Sequence, residues 1–399
     1  MKLRNILGWS LYDLADTAFS ALFITLFFPL LVKVYLGGNE FHIGLVFGIA
    51  FILSGLFVPF VGAIADAWGR KIRMLLVFTL LCVSATFFVG FSNLFWALAL
   101  GVAASFFYHA ALDVYDSLIM DISTAKNRGL VSGIGVAAGY IGTVVSLIMA
   151  YIIMQLFGWD TKEAVQAIFP ATALLFLVLA SLSFILIKEK KAAPLKFFTA
   201  LRKAFNEVKI TITKAHKLKN VFLFLISSLL YSDGVNIAII FFYLYAREQI
   251  GLALKPFFFV YALMAVAAGL GALIFGKMTD KIGAKKCLMI TQSAWIVTML
   301  ILIFSNKLIA FIAAGIIGSL ALGGVWTATR VMLISIAPKH KVAELLGFQG
   351  LTEKFSGGIG PMIFGAGVVL FGYSYALVIP LLFFIAALII LKYVKESQA

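Results

Sequence analysis

Nine ionisable side chains interrupt the apolar stretches of this 399-residue chain: Asp13 and Asp16, then His109, Asp113 and Asp116, then Asp233, then Arg330, and finally the pair Glu353 and Lys354. Placing such a group in hydrocarbon costs about 2.5–3.5 kcal/mol on insertion scales, so each needs a water-filled cavity, a partner or a task. A carboxylate so placed can take up and release a proton or hold a cationic group, and a base opposite it can pair with it and let go. His109, Asp113 and Asp116 stand at i, i+4 and i+7, on one helix face, and should therefore meet one environment. Tyr12, Tyr140, Tyr231 and Trp326 lie in the same stretches and could line a cavity or simply pack. The bland alternative for the acids is structural: permanent ion pairs, or carboxylates near enough to a surface to be hydrated.

The elements that must carry these groups are membrane helices. With 63% hydrophobic residues, 12% charged residues and a mean hydropathy of +1.08, the chain holds more apolar side chain than a water-soluble domain of this length could bury. A crossing helix needs about 20 apolar residues. Charge-free runs cover Thr17 to Val32, Ile43 to Ala65, Leu130 to Trp159, Ala164 to Ile187, Pro256 to Gly276, Cys287 to Asn306 and Leu308 to Thr329. Two longer runs divide at Ser92-Asn93 and near Gly372, and Val221 to Ala246 is apolar apart from Asp233. The expectation is an all-α membrane protein with twelve transmembrane helices, a lipid bilayer as solvent, and a first helix that is retained rather than cleaved. Cys82 and Cys287 lie apart in apolar runs, and neither a metal site nor a cofactor is expected.

Orientation follows from the basic residues. With the N-terminus inside, 25 of the 32 Lys and Arg fall in inner segments, four (Lys162, Arg247, Lys255 and Lys307) fall outside, and Lys33, Arg330 and Lys354 lie in or near the membrane. Both termini are therefore expected in the cytoplasm. The net charge of +15 is accounted for by this asymmetry and by anionic headgroups, with no nucleic-acid partner. His42, His216 and His340 read as loop histidines.

The chain also reads as two halves, 1–187 and 221–399, joined by a polar linker over 188–220. Within the linker Leu195, Phe198, Leu201, Phe205, Val208 and Ile212 recur at helical spacing, which predicts an amphipathic helix on the inner face. Gly62-Ala-Ile-Ala-Asp66-Ala-Trp-Gly69-Arg70-Lys71 follows the second helix, and Gly276-Lys-Met-Thr-Asp280-Lys-Ile-Gly283-Ala-Lys285 follows the eighth, 214 positions on. The same spacing carries Gly133 onto Gly347 and Asp116 onto Arg330. In each copy the first glycine lets helices approach, the aspartate can meet a basic neighbour or a helix N-terminus, and the second glycine allows a tight turn. Gly271-Ala-Leu-Ile-Phe-Gly276-Lys277 imitates a nucleotide phosphate loop, but Met278 replaces the hydroxyl residue and the run lies in a membrane helix, so no ATP site is expected.

Both loop copies resemble the loop motif of the major facilitator superfamily. That resemblance implies a fold of two pseudo-symmetric six-helix halves, a cavity lined by helices 1, 4, 7 and 10, and a gating role for these loops. Trp9-Ser-Leu-Tyr12-Asp13-Leu-Ala15-Asp16-Thr-Ala-Phe19, Gly139-Tyr140-Ile-Gly142, Tyr231-Ser-Asp233-Gly234-Val235, Gly323-Gly324 with Thr329-Arg330, and Gly347-Phe348 with Gly360-Pro361 are similar, in order, to segments of the vacuole-effluxer family within it. That branch includes fungal vacuolar amino-acid exporters. The chain departs from its pattern at Asp16, Asp116, Trp326 and Met120. The implied protein is no enzyme but a monomeric secondary transporter of a small polar solute, with an amino acid as candidate and a proton as coupling ion. A multidrug or lipid-like efflux pump is the rival on the same scaffold, and a receptor that moves nothing is a third reading, opposed by the paired loop motifs.

Overall fold

The computed structural model describes residues 3–123, 128–188, 196–202, 206, 219–337 and 342–395. Of the expected linker helix only 196–202 and 206 are described, with 197–202 helical; the rest lies outside the described residues, as do His216 and His340 and the side-chain surroundings of Gly62, Asp66, Met120, Gly133, Gly347, Phe348, Glu353 and Lys354.

Among the described residues twelve long helices follow one another: α1 Leu3–Tyr35, α2 Glu40–Trp68, α3 Lys71–Val89, α4 Leu94–Ile122, α5 Arg128–Phe157, α6 Lys162–Leu186, α7 Lys219–Ile250, α8 Leu254–Ile282, α9 Ala284–Phe304, α10 Leu308–Ile336, α11 Val342–Phe371 and α12 Tyr373–Tyr393. Eleven contain a span long and apolar enough to cross a bilayer, and the described part of α11 adds the shorter apolar stretch Phe355–Phe371. Backbone donors have no partner in hydrocarbon, so helices that satisfy them internally are the form such a sequence can take. Large apolar side chains stand outward on these helices, Phe304 being 82% and Ile309 83% exposed, as lipid-facing residues must.

The breaks between helices follow local chemistry. Asn93 caps α4, its side chain accepting the Trp96 N–H at 3.1 Å, and Thr161 caps α6 through the Ala164 N–H at 3.2 Å. His42 is not a loop histidine. It stands in the first turn of α2 and closes a reciprocal cap with Asn39, whose side-chain oxygen accepts the His42 N–H at 3.1 Å while the ring Nδ1 lies 3.3 Å from the Asn39 N–H. Gly69 and Gly283 both have positive φ, +60° and +90°, at the same place in each loop motif, so a left-handed residue turns the chain into α3 and into α9. The C-terminal stretch of α1 is π-helical over Ser20–Phe27 and Leu31–Tyr35, and Pro29, which has no N–H to donate, stands between the two segments.

The chain forms two compact units: Met1–Gly38 with Ile49–Glu207, and Asn39–Gly48 with Val208–Ala399. Inside the first, α1 packs on α5 and α6, and α3 on α4 and α6; inside the second, α7 packs on α11 and α12, and α9 on α10 and α12. Each pair in one unit has its counterpart in the other. An asparagine ties the first helix of each unit to the end of its sixth. Asn5 gives its side-chain N–H to the Lys188 carbonyl and accepts the Lys188 N–H, both at 3.1 Å, and Asn220 does the same with Lys395 at 3.3 Å. The second unit is cored by Phe224, Cys287, Leu288, Met332 and Leu391 from α7, α9, α10 and α12.

The decoy phosphate loop is explained by packing. A Cβ at Gly271 would fall on the Leu320 carbonyl, and one at Gly323 on the Ala268 carbonyl, so α8 and α10 cross backbone to backbone. Gly276, read from sequence as another point of close approach, is not one: the nearest atom to a Cβ there is the Thr327 methyl at 3.7 Å.

Candidate functional site

In the first unit the chemistry gathers where α1 meets α4 and α5. Trp9 and Tyr12 on α1 each stack on Tyr115 of α4, with ring centroids 4.7 and 4.9 Å apart, and the Trp9 indole N–H points to the Tyr115 carbonyl at 3.4 Å. Tyr12 has no exposed surface, and its hydroxyl lies 2.9 Å from that of Thr79 on α3. Beside this stack Asp16 is buried and accepts the Thr17 hydroxyl at 3.2 Å. Asp13 is half-buried against the glycine face of α5, where a Cβ at Gly135 would fall on its Oδ2 and one at Gly139 would come within 3.4 Å of its Oδ1. Tyr140, on the same helix, is half-buried.

His109, Asp113 and Asp116 share a face of α4, yet they do not share an environment. His109 is buried with its ring 4.1 Å from that of Phe51, Asp113 is half-buried and Asp116 is exposed. The row leaves the packed interior toward the end of α4 where Asp121 meets the loop motif. Spacing fixes the face but cannot fix how deep each turn lies.

In the second unit Asp233 is 3% exposed near the middle of α7, and its Oδ1 accepts the backbone N–H of Gly360 on α11 at 3.0 Å. Gly234 beside it receives the ring of Phe384. Tyr231 is buried, its hydroxyl 2.8 Å from that of Thr329 on α10. Arg330 is exposed and Trp326 is 41% exposed on α10. Tyr12 and Tyr231 thus bind their own units together and present no ring to solvent, whereas Tyr140 and Trp326 keep open surface.

The two loop motifs differ in what their lysines hold. Lys71 pairs with Asp121 of α4 at 3.0 Å and donates to the Ser117 carbonyl at 3.1 Å. Lys285, its counterpart, donates to the carbonyls of Lys392 and Val394 at 2.9 and 2.6 Å and so caps α12. Asp280 is exposed and has no ion pair among the described residues. The Lys71–Asp121 pair is partly exposed and should contribute only about 0.2–1 kcal/mol to stability. Lys71→Met and Asp121→Asn should therefore leave yield unchanged, each slow transport several-fold, and together do no more than either alone; additive losses in initial uptake rate would show that the two do not act as a pair.

Sequence reasoning missed several partners. Glu40, which drew no reading from the sequence, is 2% exposed and accepts the Tyr373 hydroxyl at 3.0 Å inside the second unit. There the start of α2 lies against α11, a Cβ at Gly44 falling on the Pro361 carbonyl and one at Gly48 lying 2.5 Å from that of Gly358. Glycines at four-residue spacing, Gly44 and Gly48, were the available signal. Tyr115, between two listed acids of α4, went unremarked because an aromatic in an apolar helix carries no signal of its own.

Among the described residues, twelve long apolar helices in two units with matching internal packing define a polytopic membrane protein. The chain belongs to the Major Facilitator Superfamily, whose family model matches residues 15–272 and 258–399. It is a transporter and not an enzyme. Among relatives it is 24% identical over 409 residues to the uncharacterised MFS-type transporter YxiO of Bacillus subtilis (strain 168), covering 98% of this chain and 95% of that protein. It is 23% identical over 366 residues to the multi-drug resistance efflux pump PmrA of Streptococcus pneumoniae, covering 87% of this chain and 85% of the pump. Among solved structures, a bacterial homolog of the human lysosomal transporter Spinster superposes with a TM-score of 0.75 at 16% identity over 100% of both chains. The nucleoside transporter NupG gives 0.70 at 15% identity over 98% of both.

Proposed function

We propose that the chain is a proton-coupled secondary transporter of a small polar solute, working by alternating access, with an amino acid as the first candidate. The observation that carries the reading is Asp233, a carboxylate buried at mid-helix in α7. Intramembrane acids of this kind serve proton relays and substrate sites in carriers. The acids of α1 and α4 supply further sites for a proton or an ammonium group. The amino-acid candidate rests on the likeness of Trp9 to Phe19, and of the later segments, to the vacuole effluxers.

A second reading, multidrug efflux, draws on the likeness to PmrA. A thermal-shift screen of the purified protein against amino acids, peptides, sugars and lipophilic cations between about pH 5 and 8 separates the two, since a ligand raises apparent stability by RT ln(1 + [L]/Kd). A shift with amino acids alone supports the first reading; a shift with several unrelated cations and none with amino acids replaces it by the second.

The orientation proposed with this function puts both termini and the Arg70–Arg73 loop in the cytoplasm. Single cysteines at Arg73 and Lys395, in a background lacking Cys82 and Cys287, should resist an impermeant thiol reagent in intact cells and react after permeabilisation. Labelling from outside would invert the assignment.

A further inference from the structure

Asp233 and Asp13 have the same kind of neighbour. Asp233 lies against Gly360 of α11, where a Cβ would come within 2.7 Å of its Oδ1 and 3.0 Å of its Cβ and Cγ. Asp13 lies against Gly135 and Gly139 of α5, and a Cβ at Gly139 would also come within 2.6 Å of the Thr17 hydroxyl. α1 and α5 are the first and fifth helices of their half, and α7 and α11 are the first and fifth of theirs. Asp13 and Asp233 are 220 positions apart, and Gly139 and Gly360 are 221 apart. Each pair is thus a contact between first and fifth helices, although Gly360 stands seven residues further along its helix than position 353, where the 214 spacing of the loop motifs carries Gly139.

We propose that Gly360 and Gly139, with Gly135, are positioning residues for the two membrane carboxylates: each half holds an acid of its first helix in a glycine notch of its fifth. The notch acts in two ways. Lacking a side chain, it lets the carboxylate reach the neighbouring backbone, and in α11 it offers a donor, the Gly360 N–H, at 3.0 Å. Pro361 follows directly, and a proline inside a helix drives its ring against the carbonyl four residues back and bends the axis. Any side chain at 360 must push the carboxylate off that donor or push α11 away from α7.

The consequence for transport rests on the proposed role of these acids, but the joint itself does not, and its test is read without transport. Purified wild type, Gly360→Ala, Asp233→Ala and the double variant form one cycle, read as thermal midpoints in detergent. Gly139→Ala and Asp13→Ala form the second. Gly360→Ala should lower the midpoint by about 1–4 °C, since about 1–3 kcal/mol of overpacking is set against an unfolding entropy of about 2.1 cal/mol/K per residue. Asp233→Ala should relieve that clash, so that the double variant melts no lower than Gly360→Ala, and the second cycle should behave in the same way. If Gly360→Ala fails to fold while the double variant folds, the rescue makes the same point; if neither folds, or if the losses add in both cycles, the proposal is overturned. A purely steric contact is separated from positioning by infrared difference spectra on a pH change. The carboxyl band that disappears in Asp233→Asn should be displaced in Gly360→Ala. A band at the wild-type frequency in Gly360→Ala would show that Gly360 does not position the acid. Loss of transport in Asp233→Asn with additive cycles would leave the proposed function standing and the joint refuted, and the reverse pattern would do the opposite.

Discussion

Asp233→Asn is expected to reduce gradient-driven accumulation of solute to the level of protein-free vesicles while leaving solute exchange. The substitution is nearly isosteric, and an amide oxygen can still accept the Gly360 N–H that Asp233 Oδ1 takes at 3.0 Å, so α7 and α11 should stay in place. What the amide cannot do is bind and release a proton. Exchange needs no net proton movement and survives, whereas uphill uptake needs one and does not. Asp233→Leu serves as the contrast: it removes the acceptor as well, leaves a buried N–H unpaired at a cost of about 1–3 kcal/mol, and should lower the yield of folded protein. Counterflow and uphill uptake measured on the same vesicles separate the two effects. If Asp233→Asn accumulated solute as wild type does, with the same pH dependence, Asp233 would be a structural group and the coupling acid would be sought at Asp13 or Asp16.

The second large effect is one of stability, at the crossing of α8 and α10. A Cβ at Gly323 would fall on the Ala268 carbonyl and lie 2.5 Å from the Ala272 nitrogen. Neither backbone atom can move without parting the helices. Gly323→Ala should therefore cost about 1–3 kcal/mol, the usual range for overpacking, and Gly323→Leu should prevent recovery of folded protein. Gly276→Ala, on the same α8, should be neutral or slightly stabilising, because its Cβ meets only a methyl at 3.7 Å and a helical glycine is worse than alanine by about 1 kcal/mol. Fluorescence-detected size exclusion after graded heating gives the comparison. Equal midpoints for Gly323→Ala and Gly276→Ala would show that the crossing is not tight.

Much of the architecture was legible because lipid is a demanding solvent. Helices long enough to cross it show as apolar runs, and the breaks at Asn93 and Gly372 lie where capping and turning residues interrupt them. The turns at Gly69 and Gly283 were legible because only a few residue types accept positive φ, and the motif put a glycine at each. Pairings across helices were not. The bonds of Asn5 to Lys188 and of Asn220 to Lys395 join residues 183 and 175 positions apart and leave no periodic trace. Glu40 is buried against Tyr373, which stands 333 positions away, and nothing in the spacing points to it. The repeat spacing taken from the loops also gave no hint of the contacts of Asp13 with Gly139 and of Asp233 with Gly360, since it carries Asp13 onto Ser227 and Gly139 onto Glu353. The polar face of α4 was visible, but its gradient from buried His109 to exposed Asp116 depends on packing that no single helix encodes.

Coupling is tested most directly by proton flux. Proteoliposomes loaded with a pH-sensitive dye, with no membrane potential or pH difference imposed, should report proton movement when the solute found by thermal shift is added outside. Wild type should show a solute-dependent pH change that an ionophore collapses, and Asp233→Asn should show none while still exchanging labelled solute. Solute uptake by wild type with no accompanying pH change, or an undiminished pH change in Asp233→Asn, would contradict the account.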